Sequence, residues 1–242
     1  MYKILDEGIP TAIITYRSTK KFNNFMRPPN YQDSEIKIFK IVAGPYENNA
    51  YILVCKKTNN SILIDAPSEP NEIIQLVKST KLKMIIITHS HLDHIAGLNE
   101  IQSSVNAPIA ISKFDSLQLK KIPEIYLDDD SNIKAGNINL NIITTPGHTP
   151  GSICIRTGKH LFTGDTLFPG GPGRTSSIDN FNQIINSINS KLFNLPVDTI
   201  FYPGHGKNDI LNNSIEEYKI FKNTNSEKQV FGDVIWKNKL IN

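Results

Sequence analysis

Three histidines and one aspartate lie within six consecutive positions of the sequence, at residues 89–94. Imidazole and carboxylate groups without a thiolate are typical ligands of zinc, iron or manganese. Residues two apart in an extended turn can direct His89 and His91 at a common point, whereas Asp93 and His94 begin the predicted helix that follows and can face a second point. Because these residue types at this spacing form a highly specific motif, the cluster predicts a metal centre.

Two more histidines and an aspartate lie in Gly-rich turns that follow predicted strands. His148 lies in Thr-Pro-Gly-His-Thr-Pro-Gly, Asp165 in Thr-Gly-Asp-Thr and His205 in Tyr-Pro-Gly-His-Gly. Proline and glycine fix sharp turns, and strand ends converge on one crevice of an α/β sheet, so these side chains are expected near residues 89–94. A single histidine of this kind would be an ordinary turn or core residue, but the whole set predicts two adjacent metal sites.

With these motifs in this order, residues 36–205 resemble the metallo-β-lactamase superfamily. The resemblance implies an α/β fold, namely an αβ/βα sandwich of two mixed β-sheets flanked by helices. It also implies two divalent metal ions at one edge, zinc first, with iron or manganese as alternatives. It assigns ligands to each ion: His89, His91 and His148 to the first, Asp93, His94 and His205 to the second, and Asp165 as the bridge between them.

The same resemblance gives roles to two further residues. Asp65 ends a predicted strand and would order the metal-site loop through hydrogen bonds, the alternative being a simple strand-end cap. Residues 163–175 resemble the corresponding loop of hydroxyacylglutathione hydrolase (glyoxalase II), where a basic residue at the position of Arg174 helps to bind the carboxylate of glutathione. A guanidinium group on such a loop can hold a carboxylate in bidentate fashion. The alternative for Arg174 is an arginine exposed to solvent.

The chemistry expected of two such metal ions is hydrolysis. Cations that share a water lower its pKa, and the hydroxide that results attacks a carbonyl carbon while a metal polarises the carbonyl oxygen. Asp93 is suited to orient the nucleophile and to carry a proton to the leaving group, so it is the expected catalytic residue. We therefore expect a dinuclear hydrolase that acts on a small-molecule thioester or a related ester or lactone.

Two other activities of the superfamily remain open on the same ligands. Persulfide dioxygenases use one iron held by the first ligand set, so the sequence also fits an oxygenase. Lactonases typically place a tyrosine three residues after the bridging aspartate, where this chain has Phe168. That difference argues against a dedicated lactonase but leaves promiscuous ester cleavage open.

Short apolar runs predict the strands that must position these residues, and runs with helical spacing predict helices between them. Strands are expected at residues 36–42, 51–55, 61–65, 84–87, 138–143, 152–156, 159–163 and 199–202, and helices at 72–78, 181–188 and 215–221. This alternation is typical of a layered α/β domain. We expect a single domain over residues 36–242, and residues 1–35, with a strand-like run at 12–16, as an N-terminal extension packed on it.

The composition excludes several classes of protein. With 39% hydrophobic and 20% charged residues and a mean hydropathy of −0.26, the 242-residue chain is typical of globular proteins rather than disordered ones. No apolar run reaches the roughly 18 residues of a membrane-spanning helix. The net charge of +3, from 26 basic and 23 acidic residues, does not indicate a nucleic-acid partner. Two cysteines without a C-x-x-C motif, and an acidic start ahead of a short apolar stretch, favour a cytoplasmic location. The oligomeric state is left open, a homo-oligomer included.

Three features outside the metal motifs carry expectations of their own. His160 belongs to no motif and is expected on the surface of its strand. Trp236 is expected to anchor the end of the chain to the domain. The loop at residues 44–49, which contains Tyr46 and Asn48, either overhangs the site, as in the superfamily, or forms a plain hairpin turn.

Overall fold

The structure is a computed structural model, and it describes residues 27–224 and 230–236. The strand-like run expected at residues 12–16 lies outside the described residues, as does most of the expected N-terminal extension. Within the described ranges, no helix combines the length and the apolar character needed to cross a membrane.

The first sheet has seven strands, which lie side by side in chain order. They are Tyr31–Gln32 (β1), Ile36–Ala43 (β2), Asn48–Cys55 (β3), Asn60–Ile64 (β4), Lys81–Ile86 (β5), Ile109–Ser112 (β6) and Ile125–Leu127 (β7). Neighbours from β1 to β4 are antiparallel, and neighbours from β4 to β7 are parallel. Because β4 and β5 are parallel, Asp65 and the histidines after β5 leave the sheet at the same edge.

The second sheet has six strands in the order β15-β14-β11-β10-β9-β8. They are Asn132–Ala135 (β8), Ile138–Thr144 (β9), Ile153–Thr157 (β10), His160–Gly164 (β11), Ile200–Pro203 (β14) and Asp209–Ile210 (β15), and a separate two-stranded ribbon joins Leu167–Phe168 (β12) to Gly171–Pro172 (β13). β9 is antiparallel to β10, β10 is antiparallel to β11, and β11 is parallel to β14. The carboxyl ends of β9, β11 and β14 therefore point the same way, and the loops with His148, Asp165 and His205 follow them.

Helices cover the outer face of each sheet, and a shared apolar core fills the space between the sheets. The helices are Asn71–Lys78 (α1), Leu92–Ile95 (α2), Leu98–Ser104 (α3), Ile178–Ser187 (α4) and Leu211–Thr224 (α5). In β3, Tyr51 and Leu53 face the inner core, while Ile52 packs with α1 and α3 on the outer side, as the two-residue period of a strand requires. α4 and α5 pack on the second sheet. The expected αβ/βα sandwich is confirmed.

Within the described residues, the strands and helices expected from residue 36 onward all occur, with ends displaced by a few residues, and the structure adds seven short strands that the sequence analysis missed. Four of them, β1, β12, β13 and β15, have two residues each, and β6, β7 and β8 have three or four. Their sequences are too short to show a clear period, and pairing with distant strands stabilises them. β1 pairs with β2, so residues 31–32 of the expected N-terminal extension belong to the first sheet. The single domain over residues 36–242 stays a prediction.

The expectation for His160 is wrong, and the expectation for Trp236 is confirmed. His160 is only 3% exposed, because β11 lies inside the second sheet and the ring of Tyr31 covers it at 4.3 Å between ring centroids. Its Nδ1 lies 2.9 Å from the hydroxyl of Tyr202. Trp236 is buried against Tyr218, with ring centroids 4.9 Å apart.

Candidate metal centre

All seven ligands expected from the sequence come together at one edge of the sandwich. Each follows a strand whose carboxyl end points to that edge: His89 and His91 after β5, Asp93 and His94 in α2, His148 in the β9–β10 loop, Asp165 after β11, and His205 after β14. Their separations in the chain range from one residue, between Asp93 and His94, to more than one hundred, between His89 and His205, so the sandwich and not the local sequence creates this cluster.

Three imidazole nitrogens form the first group of ligand atoms. His148 Nε2 lies 2.9 Å from His91 Nδ1 and 3.2 Å from His89 Nε2, and the last two nitrogens are 3.2 Å apart. Zinc–nitrogen bonds of about 2.0–2.1 Å in a tetrahedron put neighbouring ligands about 3.3 Å apart. The triangle therefore has nearly the size of one face of a zinc tetrahedron.

A carboxylate and two imidazoles form the second group. Asp93 Oδ2 lies 3.3 Å from His205 Nε2 and 3.7 Å from His94 Nε2. Asp165 lies between the two groups: its Oδ1 is 3.3 Å from His94 Nε2, and its Oδ2 is 3.6 Å from His148 Nε2. His94 Nε2 and Asp165 Oδ1 are buried without a hydrogen bond. Because buried polar atoms are normally satisfied, these two fit ligands of a cation.

The outer nitrogens of two ligands fix which ring nitrogen is bare. His148 Nδ1 lies 2.8 Å from the backbone oxygen of Arg174, and His205 Nδ1 lies 2.9 Å from that of Tyr46. A carbonyl oxygen only accepts, so each Nδ1 carries the proton and donates it. Each ring then presents the lone pair of Nε2 to the site, as a metal ligand requires.

Asp65 and Thr88 fix which ring nitrogen faces the site in the two most deeply buried candidate ligands, His94 and His89. The carboxylate of Asp65 accepts the Thr88 backbone N–H at 2.8 Å and the Thr88 hydroxyl at 2.8 Å. It also accepts His94 Nδ1–H at 2.9 Å. Since the single hydroxyl proton of Thr88 points to Asp65, its oxygen accepts His89 Nδ1–H at 3.1 Å. Asp65 therefore orients two of the candidate ligands, one directly and one through Thr88.

The surroundings of the site favour the ionised form of Asp93 and the neutral form of His89. Burial among other imidazoles lowers the pKa of His89 well below its ordinary value. Burial alone would raise the pKa of Asp93, but contacts with His205 and with the Asn48 amide hold it below its ordinary value. That amide donates to Asp93 Oδ2 at 2.9 Å. Asn48 thus belongs to the site, which favours the overhanging arrangement of residues 44–49.

Comparison with known proteins agrees with this geometry. The family model of the metallo-beta-lactamase superfamily matches residues 43–205. The chain belongs to this superfamily. It is 29% identical to a probable metallo-hydrolase, YqgX of Bacillus subtilis, over 71% of this chain and 92% of that protein. It is 35% identical to a probable hydroxyacylglutathione hydrolase, glo2 of Schizosaccharomyces pombe, over 67% of this chain and 65% of that protein.

Two further similarities complete the comparison. The human mitochondrial persulfide dioxygenase ETHE1 is 31% identical over 69% of this chain and 67% of its own length. The crystal structure of BLEG-1, a B3 metallo-beta-lactamase, superposes with a TM-score of 0.69 at 24% identity, over 74% of this chain and 96% of that chain. The superfamily and its fold are therefore shown, and the relatives carry more than one activity.

One residue that the sequence analysis missed supports the loops that carry the candidate ligands. Asp115 is 2% exposed, and its carboxylate accepts hydrogen bonds from the backbone of Ser90 at 2.9 Å, the hydroxyl of Thr149 at 2.8 Å and the backbone of Gly151 at 2.8 Å. The available signal was weak: Asp115 follows β6, a short apolar run that was not recognised as a strand.

The backbone of Arg174, and not its side chain, contacts a candidate ligand. Its backbone oxygen accepts from His148, as described above, whereas its side chain is 74% exposed. The guanidinium Nε lies 3.7 Å from the carboxylate of Asp233, which is itself exposed. The structure thus brings the Arg174 carbonyl into contact with a candidate ligand and leaves the guanidinium accessible to solvent.

Proposed function

We propose that this superfamily member is a dinuclear metallo-hydrolase that cleaves small-molecule thioesters or related esters and lactones, in the manner of glyoxalase II. One observation carries the proposal: two groups of ligand atoms, each complete, lie on either side of Asp165. The second group contains buried polar atoms without hydrogen bonds, His94 Nε2 and Asp165 Oδ1, and a second cation would satisfy them.

Each ligand would have a defined partner in such a centre. The first ion would be held by His89, His91 and His148, the second by Asp93, His94 and His205, and both would face Asp165. When bound, such ions supply Lewis acidity and a water of lowered pKa. Zinc fits the nitrogen-rich ligands and the size of the first triangle, and iron and manganese accept the same atoms.

Asp93 would perform the proton transfer. Its Oδ2 is ionised and held by the Asn48 amide at 2.9 Å, and it lies 3.3 Å from His205. An oriented carboxylate at this position accepts a proton from the attacking water and passes it to the departing thiolate or alkoxide. Anchoring of Oδ2 by Asn48 holds the whole carboxylate in one place and leaves its other oxygen to accept the proton, which favours a single direction of attack.

The substrate class rests on the relatives and on the loop after Asp165. Hydroxyacylglutathione hydrolases are among the relatives at 31–35% identity. The exposed guanidinium of Arg174 is free to bind an anionic, glutathione-like tail in place of its 3.7 Å contact with Asp233. Both cysteines of the chain are buried and free, which supports a cytoplasmic location for the enzyme.

A second candidate, a mononuclear-iron persulfide dioxygenase, is favoured by the first ligand group alone. The triangle of His89, His91 and His148 is complete without the second group, and the human persulfide dioxygenase is a relative at 31% identity. A dedicated lactonase has less support. Phe168 occupies the position of the lactonase tyrosine, with its ring 6.3 Å from that of His205, and has no hydroxyl to donate.

The decisive experiment measures metal content and activity on one purified sample. We expect two zinc-like ions per chain and hydrolysis of S-lactoylglutathione. His205→Ala removes a ligand of the second group only, so it should abolish hydrolysis, whereas a dioxygenase would keep its activity. One iron per chain with oxygen consumption on glutathione persulfide, retained in His205→Ala, would replace the hydrolase with the second candidate. Metal binding without either activity would refute both.

A further inference from the structure

We infer that Asp115 is a positioning residue for the first metal site, because it fixes the distance between His148 and the pair His89 and His91. The inference rests on the metal centre of the proposed function and not on its substrate. No ligand motif contains Asp115, and its side chain touches no candidate ligand directly. It acts through the loops that carry them.

The first triangle depends on two loops that come from different sheets. His89 and His91 follow β5 of the first sheet, whereas His148 lies in the β9–β10 loop of the second. A tetrahedral metal site tolerates only small errors in ligand position, because metal–ligand distances vary by only about 0.2 Å. Something must therefore hold the two loops in register across the gap between the sheets.

The Asp115 carboxylate spans that gap with both of its oxygens. Oδ2 accepts the N–H of Ser90, which stands between the two histidines of the first loop, and also the hydroxyl of Thr149, the residue after His148. Oδ1 accepts the N–H of Gly151 in the same second loop. All three donors lie at 2.8–2.9 Å, and bonds of this kind to a carboxylate are among the strong ones.

The second loop is shaped to meet this carboxylate. A Cβ atom at Gly151 would lie 2.5 Å from Asp115 Oδ1 and 2.7 Å from its Cγ, so a side chain there would push the loop away. Thr149 Oγ1 also lies 2.7 Å from Ser152 Oγ, so a hydrogen bond within the loop helps to fix the position of Thr149. The close approach explains why a glycine follows His148 at this spacing.

An amide at this position cannot replace the carboxylate. Three donors face Asp115, and an asparagine side chain would turn its own NH₂ group toward at least one of them. We expect Asp115→Asn to weaken zinc binding at the first site by 10- to 100-fold, the usual range for partners that support metal ligands. The second site should be nearly unaffected. Its ligands are not adjacent in the chain to Ser90, Thr149 or Gly151, the three residues that donate to Asp115.

The experiment measures zinc affinity of the metal-free protein by competition with a chromophoric chelator. In a His205→Ala background, which isolates the first site, Asp115→Asn should lower the affinity by 10- to 100-fold. In a His91→Ala background, which isolates the second site, it should change the affinity by less than threefold. Asp33→Asn is the matched control, because Asp33 also accepts two backbone N–H groups, at 2.8 and 2.9 Å, but does so in the β1–β2 turn.

Thr149→Val provides a milder change if Asp115→Asn lowers the yield of folded protein. It removes one of the three donors, keeps the shape of the side chain and should weaken the first site alone by a smaller factor. If Asp115→Asn leaves the zinc affinity unchanged in both backgrounds, the inference is overturned. An equal loss at both sites would assign Asp115 to general stability instead. Failure of the wild-type protein to bind zinc at all would refute the proposed metal centre itself. That result differs from an unchanged affinity and from an equal loss at both sites.

Discussion

Asp65→Asn tests the hydrogen bonds that select the metal-binding nitrogen of His94. Asparagine has the size of aspartate, and it tolerates the positive φ of 61° at this position better than other residues do. Backbone strain should therefore stay small, and the change isolates the charge and the second acceptor oxygen. In the wild-type protein those oxygens receive the Thr88 N–H, the Thr88 hydroxyl and His94 Nδ1–H.

An asparagine side chain can accept fully from Thr88 or from His94, but not from both. If its oxygen faces Thr88, its NH₂ group points at His94 Nδ1, and the imidazole must move its proton to Nε2, the atom that faces the site. If its oxygen faces His94, the NH₂ group meets the Thr88 N–H, and these two buried donors are left without an acceptor. The first case blocks the metal-binding nitrogen, and the second costs about 1–3 kcal/mol of unfolding free energy for the unsatisfied groups.

We expect zinc affinity at the second site to fall by 10- to 100-fold. Asp65 and Asp165 raise the pKa of His94 well above its ordinary value despite its burial, so the ring tautomer is read at a pH high enough to leave one proton on the ring. It is read from long-range ¹H–¹⁵N NMR correlations of His94 in the metal-free protein, and affinity from chelator competition. A protonated Nε2, or an unfolding free energy lower by about 1–3 kcal/mol, should accompany the loss. Unchanged zinc affinity, together with a proton still on Nδ1, would refute the reasoning and reduce Asp65 to a strand-end cap.

Three other perturbations test the proton acceptor Asp93, the substrate contact of Arg174 and the buried His160. Asp93→Ala should keep the first metal but lower hydrolysis about 10²-fold or more, because the oriented proton acceptor is lost; turnover close to wild type in the metal-loaded variant would contradict this role. Arg174→Ala should raise KM for S-lactoylglutathione about tenfold with kcat nearly unchanged, since a contact made equally in the ground and transition states affects binding alone. A neutral ester is its control, and an equal loss of kcat on both substrates would place Arg174 in the catalytic machinery instead. Burial lowers the pKa of His160 to about 4, so the neutral ring contributes fully to stability above pH of about 6.5 and that contribution is lost as the pH falls toward 4. In urea unfolding of the metal-free proteins, the stability of wild type relative to His160→Gln should fall by about 2–3 kcal/mol between pH 7 and pH 4; a constant difference would show that His160 titrates normally.

The sequence located the residues that form the candidate metal centre because their signal is local. Chemical identity, a spacing of two residues and a turn after an apolar run can all be recognised within a few positions, as at His89 and His91. The longer strands and helices were found for the same reason, since their periods extend over several turns or pleats. β6, β7 and β8 were missed because three or four residues show no period and gain their stability from distant partners.

Other features depended on contacts that no local pattern encodes. His160 sits in an ordinary strand sequence, and only the neighbouring strands and the ring of Tyr31 bury it. Asp115 has nothing unusual beside it in the chain, yet folding brings it to Ser90 and Thr149, 25 and 34 residues away. The arginine at 174 fits an anion-binding motif, but the direction of its side chain follows from how its loop packs.

The sequence by itself determined which atoms are available to hold metal, the order in which they occur and the superfamily that they indicate. Only the tertiary structure decided how far apart those atoms lie and which nitrogen of each imidazole faces the site. The physical reason is that both properties depend on distant partners. His205 is oriented by the backbone of Tyr46, which lies 159 residues away, and the distance across the first triangle is set by loops from two different sheets.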